Sequence, residues 1–289
     1  RAIDAKELFG YNVPRDLLPG DLVYDQELVP CLTMRECFDQ YFAGVDILCG
    51  SNFGEAEVFA SAGASKEYYC HYNEASNKSL GMKTNRRLDT REQFQSFYKS
   101  LLGDLYDTYD FDGLVQVTDQ NAWRNARKLA AYGACGMGKN TLSRSLIQHR
   151  IFGMHFSKSH PGSKVYSYLW SHIMPVKTEY IAQGLDPEDL LAFHSSELWY
   201  TFDSMREGVP PTRPWRISDY QLADILCSYW ANFIRSGDPN AKELPYWPMT
   251  EDDYGYIEID DGIKAGKGVT SGIDAIAKNL FCTAYDIEL

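Results

Sequence analysis

The sequence has no uninterrupted stretch of about 18 apolar residues, the least a membrane-spanning helix needs, so a spanning segment is excluded. Nor is there an excess of basic charge: 28 Lys and Arg stand against 40 Asp and Glu, a formal net charge of −12. Clustered cations are what nucleic acid and anionic lipid surfaces attract, and no such cluster occurs, so neither is expected as a partner. There is no Cys-x-x-Cys pair and no His-Glu-x-x-His, and the six histidines form no compact set with Cys or Asp along the chain. No metal is therefore expected. The seven cysteines (Cys31, Cys37, Cys49, Cys70, Cys135, Cys227 and Cys282) are odd in number and irregularly spaced, which fits free thiols better than a disulfide framework. Internal repeats and low-complexity tracts are missing, which excludes a solenoid and extended disorder. What is there is ordinary: 44% hydrophobic and 24% charged residues over 289 positions suffice for a sizeable core. The chain opens on Arg1, without an initiator Met or a signal-like apolar stretch, so it is expected to be part of something longer and its compartment is left unassigned.

Residues 1–32 hold Pro14, Pro19, Gly20 and Pro30 and read as a short helix followed by irregular chain. Thr33-Met34-Arg35-Glu36 has capping-box spacing and predicts a helix to about Phe42. Val45 to Cys49 is a short apolar run and predicts a buried strand, stopped by Gly50-Ser51-Asn52, so that 50–54 reads as a loop. Thr90 and Gln93 form a second capping box, ahead of a stripe of Phe94, Phe97, Tyr98, Leu101 and Leu102 at helical spacing. Segments 121–131 and 140–156 also read as helices, 164–170 as a β-branched and aromatic strand, and 175–187 as a long connection. The clearest helix is 218–236, started by Ser218 and Gln221 and ended by Gly237. Its predicted apolar face is Leu222, Ile225, Leu226, Tyr229, Trp230, Phe233 and Ile234. A late strand at 254–260 and a final helix at 273–285 follow. Strands separated by long helical stretches, with no flexible linker between, predict an α/β sheet covered by helices. The strands are few for a complete sheet, which suggests a partial domain.

Three patterns bear on chemistry. Gly133 to Lys139 has the spacing of a phosphate-binding loop, but Asn140 stands where Ser or Thr should hold magnesium, and a helix rather than a strand precedes it. It reads as a helix–helix connection. Glu55 follows a predicted buried strand, at the carboxyl edge of the sheet where α/β sites lie, and His194 follows a later one. Acid before histidine is the order of an α/β-hydrolase triad, in which a carboxylate orients an imidazole and the imidazole takes the proton of a serine hydroxyl. No Gly-x-Ser-x-Gly occurs. The nearest pentapeptide, Gly133-Ala134-Cys135-Gly136-Met137, lacks the last glycine and lies between acid and histidine, so Cys135 is not a candidate nucleophile.

These segments resemble the type-B carboxylesterase family, the cholinesterase-like enzymes that include para-nitrobenzyl esterases. Gly50-Ser51-Asn52-Phe53-Gly54-Glu55-Ala56 is similar to its G-x-N-x-D-E-G segment, His194-Ser195-Ser196-Glu197-Leu198 to its H-G-x-E-L segment, and Trp230 to Asn240 followed by Leu244 to Pro248 to its W-x-N-F-x-x-x-G-D-P-N…L-P-x-W-P block. The resemblance implies an α/β-hydrolase fold with a mixed, mostly parallel sheet flanked by helices. It implies that 1–289 is the C-terminal portion of a single such domain. Glu55 and His194 would then be acid and base of a Ser-His-Glu triad, hydrolysing a small-molecule ester with no metal or organic cofactor needed. The nucleophilic Ser and oxyanion hole would lie on an N-terminal half, a separate chain or cleavage product, as partner. Phe193, Trp199 and Tyr200 are expected to line the substrate pocket, and Glu197 to brace the His194 loop. Gly54, Ala56 and Ser195 depart from the family pattern. The alternative is a non-catalytic, cholinesterase-like binding or adhesion protein on the same fold.

Overall fold

Two short segments, Ile47–Asn52 (β1) and Val165–Trp170 (β2), pair in parallel along their whole length, from Ile47 beside Val165 to Asn52 beside Trp170. Tyr256–Ile259 (β3) adds to β2 in parallel, and Ile263–Gly266 (β4) returns antiparallel to β3, giving the order β1-β2-β3-β4. Parallel neighbours need long crossovers, so helices fill the two long connections, whereas the β3–β4 pair closes through a hairpin at Asp260-Asp261-Gly262. The computed structural model describes residues 44–54, 88–132, 144–182, 186–189, 191–193, 195–208, 213–269 and 272–285. The short helix expected within 1–32 and the one expected at 33–42 lie outside these residues.

The first strand runs farther than its sequence suggests. Gly50-Ser51-Asn52 reads as a turn, yet β1 continues through it. The reason is an aromatic neighbour: Gly50 pairs with Tyr168, and a Cβ at 50 would sit 2.3 Å from the Tyr168 ring. Glycine here makes room for a ring on the adjacent strand and is not a breaker.

The β1–β2 crossover holds helices α1 (Arg91–Leu102), α2 (Leu105–Thr108), α3 (Phe111–Val115), α4 (Ala122–Tyr132) and α5 (Arg144–Ser159). The capping box of α1 is formed as predicted: Thr90 Oγ1 accepts from the Gln93 amide at 3.2 Å, and Gln93 Oε1 accepts from the Thr90 amide at 3.3 Å. Phe94, Tyr98 and Leu102 of α1 bury against Tyr106, Phe111 and Leu129 in a helical core of their own. Helix α4 leads into the phosphate-loop-like segment, which itself lies outside the described residues.

The β2–β3 crossover holds α6 (Thr178–Ala182), a 3-10 turn (Pro187–Asp189), α7 (Leu198–Thr201) and α8 (Ile217–Ser236); α9 (Gly272–Tyr285) follows β4. Helix α8 is capped by Arg216 rather than Ser218, with Asp219 Oδ2 accepting from the Arg216 amide at 2.7 Å. Leu222, Ala223, Leu226 and Tyr229 are its buried face, with Ile225, Trp230 and Phe233 at the margin. Ile234 is 81% exposed, against expectation. At 3.6 residues per turn, eight steps beyond Leu226 rotate a side chain about 80° off that face.

The block after α8 fastens the helix to the sheet. Gly237 takes the left-handed conformation (φ 68°) that ends a helix, and its amide reaches Phe233 O at 2.7 Å. Asn232 Nδ2 donates to Pro239 O at 3.2 Å. Asn240 imitates a strand neighbour for Trp247: its Oδ1 accepts from the Trp247 amide at 2.7 Å and its Nδ2 donates to Trp247 O at 3.0 Å. The Trp247 indole is fully buried and donates to Ser167 O of β2 at 3.0 Å. Trp170, Tyr200, Tyr229 and Trp247 anchor the main core between sheet and helix.

Candidate active site

The carboxyl ends of β1 and β2 converge on one loop. Beyond Asn52, the chain reaches Gly54, which forms a parallel bridge with Phe193, its amide donating to Ala192 O at 2.8 Å. The approach is close. A Cβ at 54 would lie 2.9 Å from both Ala192 O and Leu191 Cβ, so glycine, where the family pattern has Asp, matches this tight crossing. Asn52, only 1% exposed, grips the same loop from β1. Its Nδ2 donates to Phe193 O at 2.9 Å and to the Glu197 carboxylate, with Ser196 Oγ 3.5 Å away. Trp170 Nε1, at the end of β2, donates to Ser196 Oγ at 2.8 Å, and the Ser196 amide turns back to Phe193 O at 3.0 Å. Both strand ends therefore hold the segment around residue 194.

That segment is also strained. Leu191 (φ 52°) and Ser195 (φ 66°) adopt left-handed conformations that side chains disfavour. At 195 the family pattern has glycine, and the backbone here keeps the glycine conformation although the residue is serine. Behind the loop, the buried Arg213 guanidinium lies 5.6 Å from the Phe193 ring and 5.9 Å from the Trp199 ring and donates to Pro175 O at 3.4 Å. Burial pushes its pKa down.

A second network lies at the end of β2 toward β3. His172 Nε2 is 3.1 Å from Asp219 Oδ1 and 3.0 Å from Tyr200 Oη, and the Tyr200 hydroxyl donates to the same carboxylate at 2.8 Å. Arg216 adds its backbone amide at 2.7 Å and Nε at 3.0 Å. Burial pushes the Asp219 carboxyl up. The hydrogen bonds from His172, Arg216 and Tyr200 outweigh it and hold the group well below the usual carboxylate range. Burial and then the Asp219 charge push the Tyr200 phenol up. Between the two networks opens a cavity of about 640 Å³, apolar where Phe53, Met174 and Leu191 face it and charged where Arg216, Glu258 and Asp261 do.

Glu55 and His194 lie outside the described residues, one position beyond Gly54 and Phe193 respectively. Glu197 faces Asn52. Phe193 and Tyr200 are buried in the main core, Trp199 packs against it, and the described cavity is lined by other residues. Asn52, Ser196, Trp170, His172 and Asp219 were not singled out from the sequence. The signal for Asn52 and Ser196 was their place inside the two matched segments, whereas His172 and Asp219 carried none. Burial raises the Cys49 thiol pKa to about 11, which disfavours the thiolate at neutral pH. Among the described residues Cys49, Cys227 and Cys282 are free thiols, and no helix is long and apolar enough to cross a membrane.

A mixed, mostly parallel sheet flanked by helices, with polar networks at the strand carboxyl ends, is the α/β architecture that an α/β-hydrolase fold presents. Residues 2–276 match the profile of the Carboxylesterase family, and the chain belongs to that family. Among curated proteins it is similar to acylcarnitine hydrolase of Mus musculus, 30% identical over 118 residues that cover 41% of this chain and 19% of that protein. It is similar to carboxylesterase 5A of Mus musculus, 31% identical over 108 residues, 37% of this chain and 18% of that protein. To the medium-chain fatty acyl-CoA hydrolase precursor of Anas platyrhynchos it is 33% identical over 106 residues, 37% and 17% of the two lengths. The matched segments thus span less than a quarter of these relatives.

Proposed function

We propose that this chain is the C-terminal portion of a serine carboxylesterase domain and supplies two members of a Ser-His-Glu triad. Glu55 orients His194. His194 takes the proton of a serine hydroxyl as that oxygen attacks an ester carbonyl, then returns it to the departing alcohol, and a water repeats the sequence to release the acid. The serine and the donors that stabilise the tetrahedral oxyanion belong to an N-terminal half outside this chain. The substrate class is a small-molecule ester, in keeping with the family and with relatives whose names specify ester or thioester hydrolysis.

The observation that carries this reading is the Gly54–Phe193 bridge. Paired residues on neighbouring strands lie about 4.8 Å apart. Two segments crossing there, each followed at once by an acid or a histidine, are what a carboxylate–imidazole pair requires. Asn52, Trp170, Ser196 and Glu197 support it by fixing the loop, and Phe193, Trp199 and Tyr200, buried in or packed on the core beside that loop, are in this reading the residues that line the substrate pocket. The test is His194→Ala and Glu55→Gln in the full-length protein, with aryl-ester turnover and circular dichroism measured together. His194→Ala is expected to lose at least about 10³-fold in kcat, and Glu55→Gln somewhat less. A folded His194→Ala variant with near-normal turnover overturns the assignment. A folded wild-type protein that hydrolyses no ester and takes no fluorophosphonate label favours the non-catalytic binding protein.

A further inference from the structure

We propose that His172, Asp260 and Asp261 form a binding site for one divalent cation of the zinc type. The three residues come from the end of β2 and from the β3–β4 hairpin, and each offers one ligand atom, all within 4.8 Å of one another. The backbone holds them in register: the Ser171 and His172 amides both donate to Ile259 O, at 2.8 and 3.0 Å, immediately before the hairpin acids.

The histidine supplies an independent reason. His172 is 2% exposed, and its Nδ1 has no hydrogen-bond partner. On the other side of the ring, Nε2 faces Asp219 Oδ1, which already accepts the Tyr200 hydroxyl hydrogen at 2.8 Å. A carboxylate can only accept, so the Asp219 contact takes a hydrogen on Nε2, although the Arg216 Nη2 donor also lies 3.5 Å from that nitrogen; with the ring neutral in this tautomer, Nδ1 presents a lone pair. Asp261 Oδ1 is 3.1 Å from Nδ1, yet the contact is not aligned as a hydrogen bond. A lone pair facing a carboxylate oxygen is repulsive, and a cation between them turns repulsion into two bonds. The Asp219–His172 pairing then takes the form that orients metal-binding histidines, a carboxylate on the far nitrogen fixing tautomer and ring.

Charge points the same way. Among the described residues, Asp219, Glu258, Asp260 and Asp261 lie at the site or along its cavity, with two cations near them, Lys128 on the cavity wall and Arg216, whose Nη2 is 3.8 Å from Asp261 Oδ1. One imidazole nitrogen with two carboxylate oxygens suits zinc better than calcium or magnesium, which prefer all-oxygen shells. Zinc ligands sit about 2.0–2.2 Å from the ion, so the hairpin side chains need only close slightly. Asp261 is 80% exposed and free to do so. Asp260 and Asp261 also line the cavity, which leaves a coordination position open toward it.

The test uses the full-length protein, stripped with EDTA and titrated by calorimetry with Zn²⁺, with Ca²⁺ and Mg²⁺ as controls. One equivalent of Zn²⁺ is expected at micromolar Kd or tighter, with a rise in Tm. The Asp260→Asn/Asp261→Asn double variant, altered only in the hairpin turn, is expected to keep its far-UV spectrum and bind at least about 100-fold more weakly. His172→Gln is a second variant expected to do the same if it folds. Absence of Zn²⁺ uptake by the wild type, as for a doubly protonated ring bridging Asp219 and Asp261, overturns the proposal. So does Zn²⁺ binding that survives the double variant, because the ion then sits on other residues.

Discussion

The two polar networks at the ends of β1 and β2 lie a few residues apart and are built on different chemistry. Around Asn52 the contacts run mainly from an amide and an indole to a hydroxyl and a backbone carbonyl, with one carboxylate, Glu197, at the margin. Around His172 they run between an imidazole, a guanidinium, a phenol and several carboxylates. Neutral hydrogen bonds to backbone fix a position and respond little to pH or salt. A charged cluster fixes less by shape and more by balance, and the balance shifts with protons and ions. The first network is suited to positioning a loop, the second to stabilising the fold and receiving a cation.

Substitutions can break this contrast. The largest effect is expected from Asn52→Ala. With the loop around 194 released, kcat/KM for ester hydrolysis should fall by about 10²-fold, the scale of a 1 Å misplacement, and by the same factor from pH 6 to 9. An equal loss in Asp219→Asn would show that both networks position the loop. Asp219→Asn should instead act on stability, costing about 2–3 kcal/mol at neutral pH by leaving Arg216 and His172 without their carboxylate. The pH dependence has a definite sign. The folded-state pKa of Asp219 is depressed, so its contribution is complete above the ordinary value of about 3.9 and is lost as pH falls toward the lower folded value. The gap between wild-type and variant melting temperatures should therefore be constant above about pH 4 and narrow progressively below it, in thermal melts from pH 7 to 2.5. Gly54→Ala comes next. With backbone and Leu191 both in the way, a loss of about 1–3 kcal/mol in Tm-derived stability is expected, with reduced turnover. Ser195→Gly should change stability by less than about 1 kcal/mol, because relief of the left-handed strain offsets the added freedom of the unfolded chain. A large loss there would mean that the serine hydroxyl, rather than the backbone shape, matters at 195.

Much of the architecture was legible in the sequence because it is local. The Thr90 and Gln93 cap, the stop at Gly237 and the alternation of strands with helices are written in neighbouring residues. The extension of β1 through Gly50-Ser51-Asn52 was not, since it depends on Tyr168, far along the chain. The cap of α8 was misplaced for a similar reason: Arg216 owes its position to a network that includes His172. Of the proposed site, the matched motifs point to Glu55 and His194, while the groups that hold Phe193, Ser196 and Glu197 emerge only from the crossing of strand ends. His172 and the hairpin acids are about 90 residues apart, and no local spacing rule joins a buried imidazole to an exposed turn.

The tie formed by Gly237, Asn240 and Trp247 has a consequence for recognition itself. The longest stretch by which this chain announces its kinship is masonry: it mortars a helix to a sheet and touches no reacting atom described here. Mutation can erase the chemistry and leave that stretch intact, and the fold will still be recognised. Kinship read from it certifies the building, and the occupation of the building has to be read elsewhere.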